Sequence, residues 1–267
     1  MGTGEGSSCS CSCSEEEERL LKLESIRESL VRQEDTIIFS LIERAKYPIN
    51  SPLYDNNHTH NLPTNTNSLF HFFLKQSEHL QAKAGRYTSP EENAFFPDNL
   101  PIPLLPPLNC TPVLHPPGDS ININDQVLNL YLNTLLPLIA AKGDDGNYAV
   151  TAASDVNCLQ ALSRRIHFGK FVAEVKFRDA PADYTPAICA KDRESLMKLL
   201  TFQSVEEGIK KRVEKKAMIF GQDVDLNEND IDGKYKVNPS VVSQLYGEWV
   251  MPLTKFVQVE YLLRRLD

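Results

Sequence analysis

Apolar positions recur at helical spacing in almost every stretch of this chain that lacks proline. From Glu17 to Tyr47, Leu23, Leu30, Ile37 and Leu41 follow one another at sevens and fours, and Ile26, Val31 and Ile38 widen the stripe. Arg27 falls on that stripe, four after Leu23 and three before Leu30. A charge on an apolar seam is costly unless paired. It is therefore either half of an internal ion pair with a glutamate such as Glu34, or a guanidinium aimed into a cleft. Pro48 and Pro52 end the helix, and residues 48–66 read as loop. His58 and His60 lie there without the carboxylate or cysteine company of a metal site. A second helix fits Ser68 to Arg86. Nine prolines between Ser89 and Gly118 exclude a regular helix, and Phe95, Phe96, Leu100, Leu104 and Leu105 among them predict an extended strap laid across the body.

Helical spacing resumes from Asn124 to about Ala141, and Gly143 to Tyr148 (GDDGNY) is a turn. Ala149 to Phe177 reads as one long helix, with Leu159, Leu162 and Ile166 on its buried side. Arg165, Gly169, Val172 and Lys176 are spaced by four, three and four. Eleven residues make nearly three turns, so Arg165 and Lys176 share a face about 16 Å apart. Gly169 and Val172 between them leave a low floor where a small dianion fits. The competing reading is a solvated face with two surface cations. That reading leaves unexplained a helix-interior glycine, which costs about 1 kcal/mol relative to alanine. Pro181 to Pro186 predicts a break, and a short helix covers Ala190 to Leu200. Ser204-Val-Glu-Glu reads as a capping box, with Glu206 complementing the helix dipole, and this helix runs to about Phe220. Residues 221–238 are rich in Asp and Asn, but counting from Asp225 puts Asp230 at the glycine position of an EF-hand and Lys236 at the closing glutamate position. A solvated loop is expected, and no metal. Pro239 opens the last helix, Ser240 to Leu266, where Leu253, Val257 and Tyr261 step by four beside a polar line of Thr254 and Gln258. No stretch alternates with strand period and no repeat is present, so the class is all-α.

Composition narrows the function. The 267 residues are 41% hydrophobic, enough for one core, with residues 1–16 a low-complexity, disordered tail and 17–267 a single helical domain. A formal net charge of −8 with no long basic stretch argues against wrapping nucleic acid. No apolar run is long enough to span a membrane. The Gly/Ser/Cys start followed by four glutamates resembles neither a secretory signal nor a transit peptide. Six scattered or tail cysteines fit free thiols in a reducing compartment, so the cytosol is the expected location. No Gly-x-Gly-x-x-Gly or phosphate-loop spacing calls for a nucleotide.

Three blocks carry a resemblance: LESIRESLVRQEDTIIFSLIERA, LSRRIHFGKFVAEVKF and MPLTKFVQVEYLLRRLD. Together they resemble the all-helical chorismate mutases of plants and fungi, from about residue 20 to the end, and the short N-terminus is similar to the cytosolic plant form. The resemblance implies a homodimeric, cofactor-free enzyme that rearranges chorismate to prephenate, a Claisen reaction serving phenylalanine and tyrosine biosynthesis in the shikimate pathway. It implies a catalytic set of Arg27 and Arg165 on the carboxylates, Lys176 on the ether oxygen, Glu206 on the ring hydroxyl, and Thr254 and Gln258 as further polar contacts. Gln258 falls where fungal members have glutamate. Regulated relatives bind aromatic amino acids at the dimer interface, with Gly-Ser after the aromatic residue of the GDD turn. Here those positions are Ala149 and Val150; Arg86 and Asn147 remain, while Gly85 replaces a fungal arginine. A degraded effector pocket without feedback control is expected. Two rival classes stay open: a non-catalytic helical module binding a small dicarboxylate, and a helical scaffold with only surface charges.

Overall fold

The computed structural model describes residues 22–55, 67–106, 113–222 and 235–267, and among these residues the chain is helical with no strand. The tail, His58, His60 and most of the Asp/Asn-rich loop lie outside the described residues. Helix α1 is Leu23–Arg44 and α2 is Leu69–Lys83, the latter capped by Ser68, whose hydroxyl accepts from the His71 amide at 3.2 Å. Helix α3 runs as Asn124–Leu130, a π turn over Tyr131–Leu135, and Leu136–Ile139. Then come α4 (Tyr148–His167), α5 (Gly169–Asp179), α6 (Pro181–Cys189), α7 (Arg193–Leu200) and α8 (Gln203–Phe220). Helix α9 joins Pro239–Gln244, a π turn over Leu245–Val250, and Met251–Arg264. Both π turns stand just ahead of a proline, Pro137 and Pro252. Proline has no N–H to give the preceding turn, and widening that turn keeps the helix running.

The expected single helix from Ala149 to Phe177 is two, because Phe168 takes φ −59°, ψ −14° and the ladder tightens there. Phe171 and Val172 both donate to the Phe168 carbonyl, so the two pieces stay nearly in line. The expected break at Pro181–Pro186 is instead α6. Pro181 occupies the first helical position, where its missing N–H is no loss, and Thr185 Oγ1 donates to the Pro181 carbonyl at 2.7 Å. The expected capping box is not formed: α8 starts two residues earlier, Phe202 is its N-cap without a side-chain bond, and Glu207 turns outward to Lys210.

Helix α1 packs along α4, with Ile37, Ile38 and Leu41 of α1 fully buried, and α9 packs along α5. The end of α1 is clasped to α4 by a buried ion pair, Arg44 with Asp155. Arg44 also donates to the carbonyls of Tyr47, Pro48 and Ile49, while Tyr54 and Tyr131 donate to Asp155 at 2.5 and 2.6 Å. Breaking such a pair from one side costs about 3–5 kcal/mol, so the clasp fixes how α1 lies on α4. In the Pro-rich stretch Phe95 is buried, and Glu78 accepts from the amides of Phe95 and Phe96 at 2.7 and 2.9 Å. Ile102, Leu104 and Leu105 face outward, although the Leu104 amide reaches the Lys83 carbonyl at 2.8 Å.

Candidate active site

Arg165 projects from the last turn of α4 into the helical body and is only 3% exposed. Its Nη1 donates to Thr254 Oγ1 at 3.3 Å, and its guanidinium carbon lies 6.0 Å from the centre of the Tyr246 ring. Its Nε is buried with no hydrogen-bond partner among the described residues, as are the Tyr246 hydroxyl and Gln258 Oε1. Burial pushes the guanidinium below its ordinary basicity; Tyr246 and Glu34 act against that and Arg212 adds to it. Leaving a buried polar group unpaired costs about 1–3 kcal/mol. Where such groups line a site, a ligand or water can complete them.

Thr254 and Gln258, four apart on α9, are both buried on the side that meets Gly169. The structure corrects the reading of Gly169 here. A Cβ at that position would stand 2.7 Å from the Thr254 carbonyl oxygen and 3.4 Å from Gln258 Cγ. The glycine admits helix α9 rather than leaving a floor for a ligand. Thr254 Oγ1 also donates to the Val250 carbonyl at 2.6 Å, which anchors the side chain to the end of the π turn.

Lys176 lies further along, on α5, half-buried and without a hydrogen bond to any described residue. Burial lowers its basicity and Glu206 partly restores it. Glu206 in the first turn of α8 accepts from Lys255 at 2.9 Å, so both signs of charge reach this end of the site. Two aromatic residues here were missed in the sequence: Tyr246, under Arg165, and Phe202, whose ring centre is 5.1 Å from Lys176 Nζ. Neither has a signal in spacing, because each meets its cation across helices.

Arg27 is exposed near the start of α1 and makes no hydrogen bond or ion pair with another described residue. The pairing with Glu34 does not occur. Glu34 is buried and taken by Arg212, at 2.9 and 2.6 Å, and by Lys216 at 3.1 Å. The structure thus joins Arg165 to Thr254, sets Thr254 and Gln258 together against Gly169, puts Lys176 with Glu206, and leaves Arg27 exposed on α1.

The five expected effector positions fall into two groups. Gly85, at φ 89°, and Arg86 follow α2, where Arg86 donates to Gln81 at 3.0 Å and to Gln160 at 2.6 Å and pairs with Glu92. Asn147 caps α4 beside exposed Ala149 and Val150, and its amide is held by Asp145 at 3.0 Å. Gln160 is ten residues beyond Val150 on α4, so the two groups stand roughly 15 Å apart along the axis. Within one chain they do not form a single pocket.

Comparison with known proteins bears on this arrangement. The family "Chorismate mutase type II" matches residues 147–259, which span Arg165 to Gln258. Chorismate mutase 2 of Petunia hybrida is 63% identical over 248 residues, 92% of this chain and 94% of that protein. The cytosolic chorismate mutase 2 of Zea mays is 53% identical over 249 residues, 92% of this chain and 97% of that one. The crystal structure of AtCM1 with tyrosine bound in its allosteric site superposes with a TM-score of 0.82 at 53% identity, covering 92% of this chain and 97% of that one. The chain belongs to the chorismate mutase family of plants and fungi, and it is an enzyme of that type.

Proposed function

We propose that this chorismate mutase turns chorismate into prephenate at the Arg165 site, with six residues in the roles their positions fit. The observation that carries the reading is Arg165: a buried guanidinium with an unsatisfied Nε and one long hydrogen bond. Chorismate is a dianion, and a desolvated guanidinium offers a carboxylate a fixed, charge-assisted fork. Arg27, exposed on α1 and without an ion pair to another described residue, is the grip for the second carboxylate. With both ends held, the enolpyruvyl arm lies over the ring and the reactive conformer is selected, an entropic gain. As the C–O bond breaks, negative charge builds on the ether oxygen. Lys176 and the Gln258 amide are the donors for it, and they stabilise the transition state more than the substrate. Glu206 accepts from the ring hydroxyl, and Thr254 holds Arg165 in register. No group needs to become covalent and no cofactor enters.

Purified protein with chorismate, followed by the loss of chorismate absorbance, tests this reading. Turnover to prephenate is expected. Binding without conversion would make the chain the dicarboxylate module, and neither would make it a scaffold.

The fold also supports a homodimer. Leu80, Ile102, Leu104 and Leu105 are all exposed around the end of α2, a concentration of apolar side chains that a second copy would cover. AtCM1 has been crystallised with tyrosine in an allosteric site. In this chain Ala149 and Val150 supply a methyl for a hydrogen and remove a hydroxyl donor, which supports an enzyme without strong aromatic feedback. The Zea mays relative is cytosolic, and that supports the same compartment here.

A further inference from the structure

The geometry points to Phe202 as a positioning residue of this site, its ring face holding the Lys176 ammonium at the mouth between α5 and α8. The inference rests on the proposed role of Lys176. Phe202 is 54% exposed, and its ring centre lies 5.1 Å from Lys176 Nζ. An ammonium within about 6 Å of a ring face is attracted by the ring quadrupole. The ring has no freedom to drift away with its backbone. Residue 202 is extended, at φ −125° and ψ 94°, and its carbonyl accepts from the amides of Val205 and Glu206 at 3.0 Å. On either side of it Lys255 Nζ reaches the Thr201 hydroxyl at 3.4 Å and the Glu206 carboxylate at 2.9 Å.

Lys176 needs such a partner. It makes no hydrogen bond to a described residue, and a lysine on a flexible stem loses its aim unless something holds the head. A hydrogen-bonding partner would occupy donors required by the substrate oxygen. A ring face attracts the charge without a lone pair that competes for it, and the N–H groups turned away from the ring stay open to the substrate. The charged group that acts on Lys176 is Glu206 of α8, itself neutralised by Lys255 of α9, while Thr254 and Gln258 present neutral groups from α9. Removing the ring therefore removes one of two contributions that favour the charged lysine.

The test is Phe202→Leu, which keeps apolar bulk without the quadrupole, beside Phe202→Tyr, which keeps both. Each is checked for fold by circular dichroism, for kcat/KM from pH 6 to 10, and for the Lys176 titration by NMR of lysine labelled at Cε. Phe202→Leu should lose about 2- to 30-fold in kcat/KM, and its alkaline limb should move down by about 0.4–1.5 pH. Phe202→Tyr should keep both near wild type. An unmoved Lys176 titration in Phe202→Leu overturns the ring–ammonium pairing. A moved titration with wild-type kcat/KM overturns instead the catalytic role of Lys176, and Lys176→Gln with full activity would show the same failure independently.

Discussion

Gly169 and Thr254 meet so closely that a Cβ on residue 169 would lie 2.7 Å from the Thr254 carbonyl oxygen and 3.2 Å from its Cγ2. The obstacle is backbone, which cannot swing aside as a side-chain tip does. This contact sets the depth of α9 against α5 and holds the Thr254 hydroxyl 3.3 Å from Arg165.

Gly169→Ala should therefore harm activity more than stability. Overpacking costs about 1–3 kcal/mol, and alanine returns about 1 kcal/mol of helix propensity. A shift of about 1 Å in the catalytic groups costs on the order of 100-fold in rate. Thermal melts and kcat/KM measured together check this. A variant with wild-type values of both would mean that α9 is not set by this glycine.

His167 gives a second, purely structural prediction. Its Nδ1 donates to the Ser163 carbonyl at 2.8 Å, and its Nε2 accepts from the Ile123 amide at 2.9 Å. Burial, with a smaller contribution from Lys170, pulls its pKa from 6.5 down to about 4. A histidine depressed on folding stabilises fully above its unfolded pKa, and that contribution is lost as pH falls toward the folded value. The whole effect is on the order of 3 kcal/mol, of which about 2 kcal/mol is gone by about pH 5. Urea unfolding of the native protein and of His167→Gln between about pH 7.5 and 5 checks it, because carboxylates common to both cancel. Parallel stability profiles would contradict the assignment.

Effector response is the third. Tryptophan and tyrosine should change activity little at physiological concentrations, given Ala149 and Val150 at the α4 start. An effector without differential affinity for two states shifts nothing. Initial rates across a titration decide the matter, and several-fold activation by tryptophan would overturn the reading of those two residues.

Gln258 provides the fourth. An amide can donate to the ether oxygen at any ordinary pH, whereas a glutamate donates only while protonated, and its unperturbed pKa is about 4.3. Gln258→Glu should work in acid and lose rate as pH rises, since a carboxylate there reverses a contribution of about 2.7–4 kcal/mol. The native enzyme should stay active through neutral pH. Superimposable kcat profiles for the two folded proteins would remove Gln258 from the breaking bond.

Periodicity made the helices legible, because burial on one face imposes a repeat that survives in the sequence. The polar pair Thr254 and Gln258 was legible for the same reason. What pairs with what was not. One of the two readings open for Arg27 paired it with Glu34 in its own helix, but Glu34 meets Arg212 and Lys216 on α8. Asp155 carried no signal at all, although it anchors the end of α1 through Arg44. Local rules misled at Pro181–Pro186 and at Ser204, where a proline suited to a helix start and an extended Phe202 moved both boundaries. Gly169 stood out correctly as a costly residue, but the cost serves a helix contact that only the folded chain reveals.

Arg165 is the residue on which the proposed site turns, and kcat/KM of Arg165→Ala with chorismate tests its role most directly. Truncating a buried charge grip typically costs about 2–5 kcal/mol of binding or transition-state energy. The fold should survive, because the guanidinium is largely unpaired in the free protein and its removal relieves a desolvated charge. The prediction is a folded protein, by circular dichroism, whose kcat/KM has fallen by that amount. A folded Arg165→Ala with wild-type kcat/KM would contradict the account at its centre.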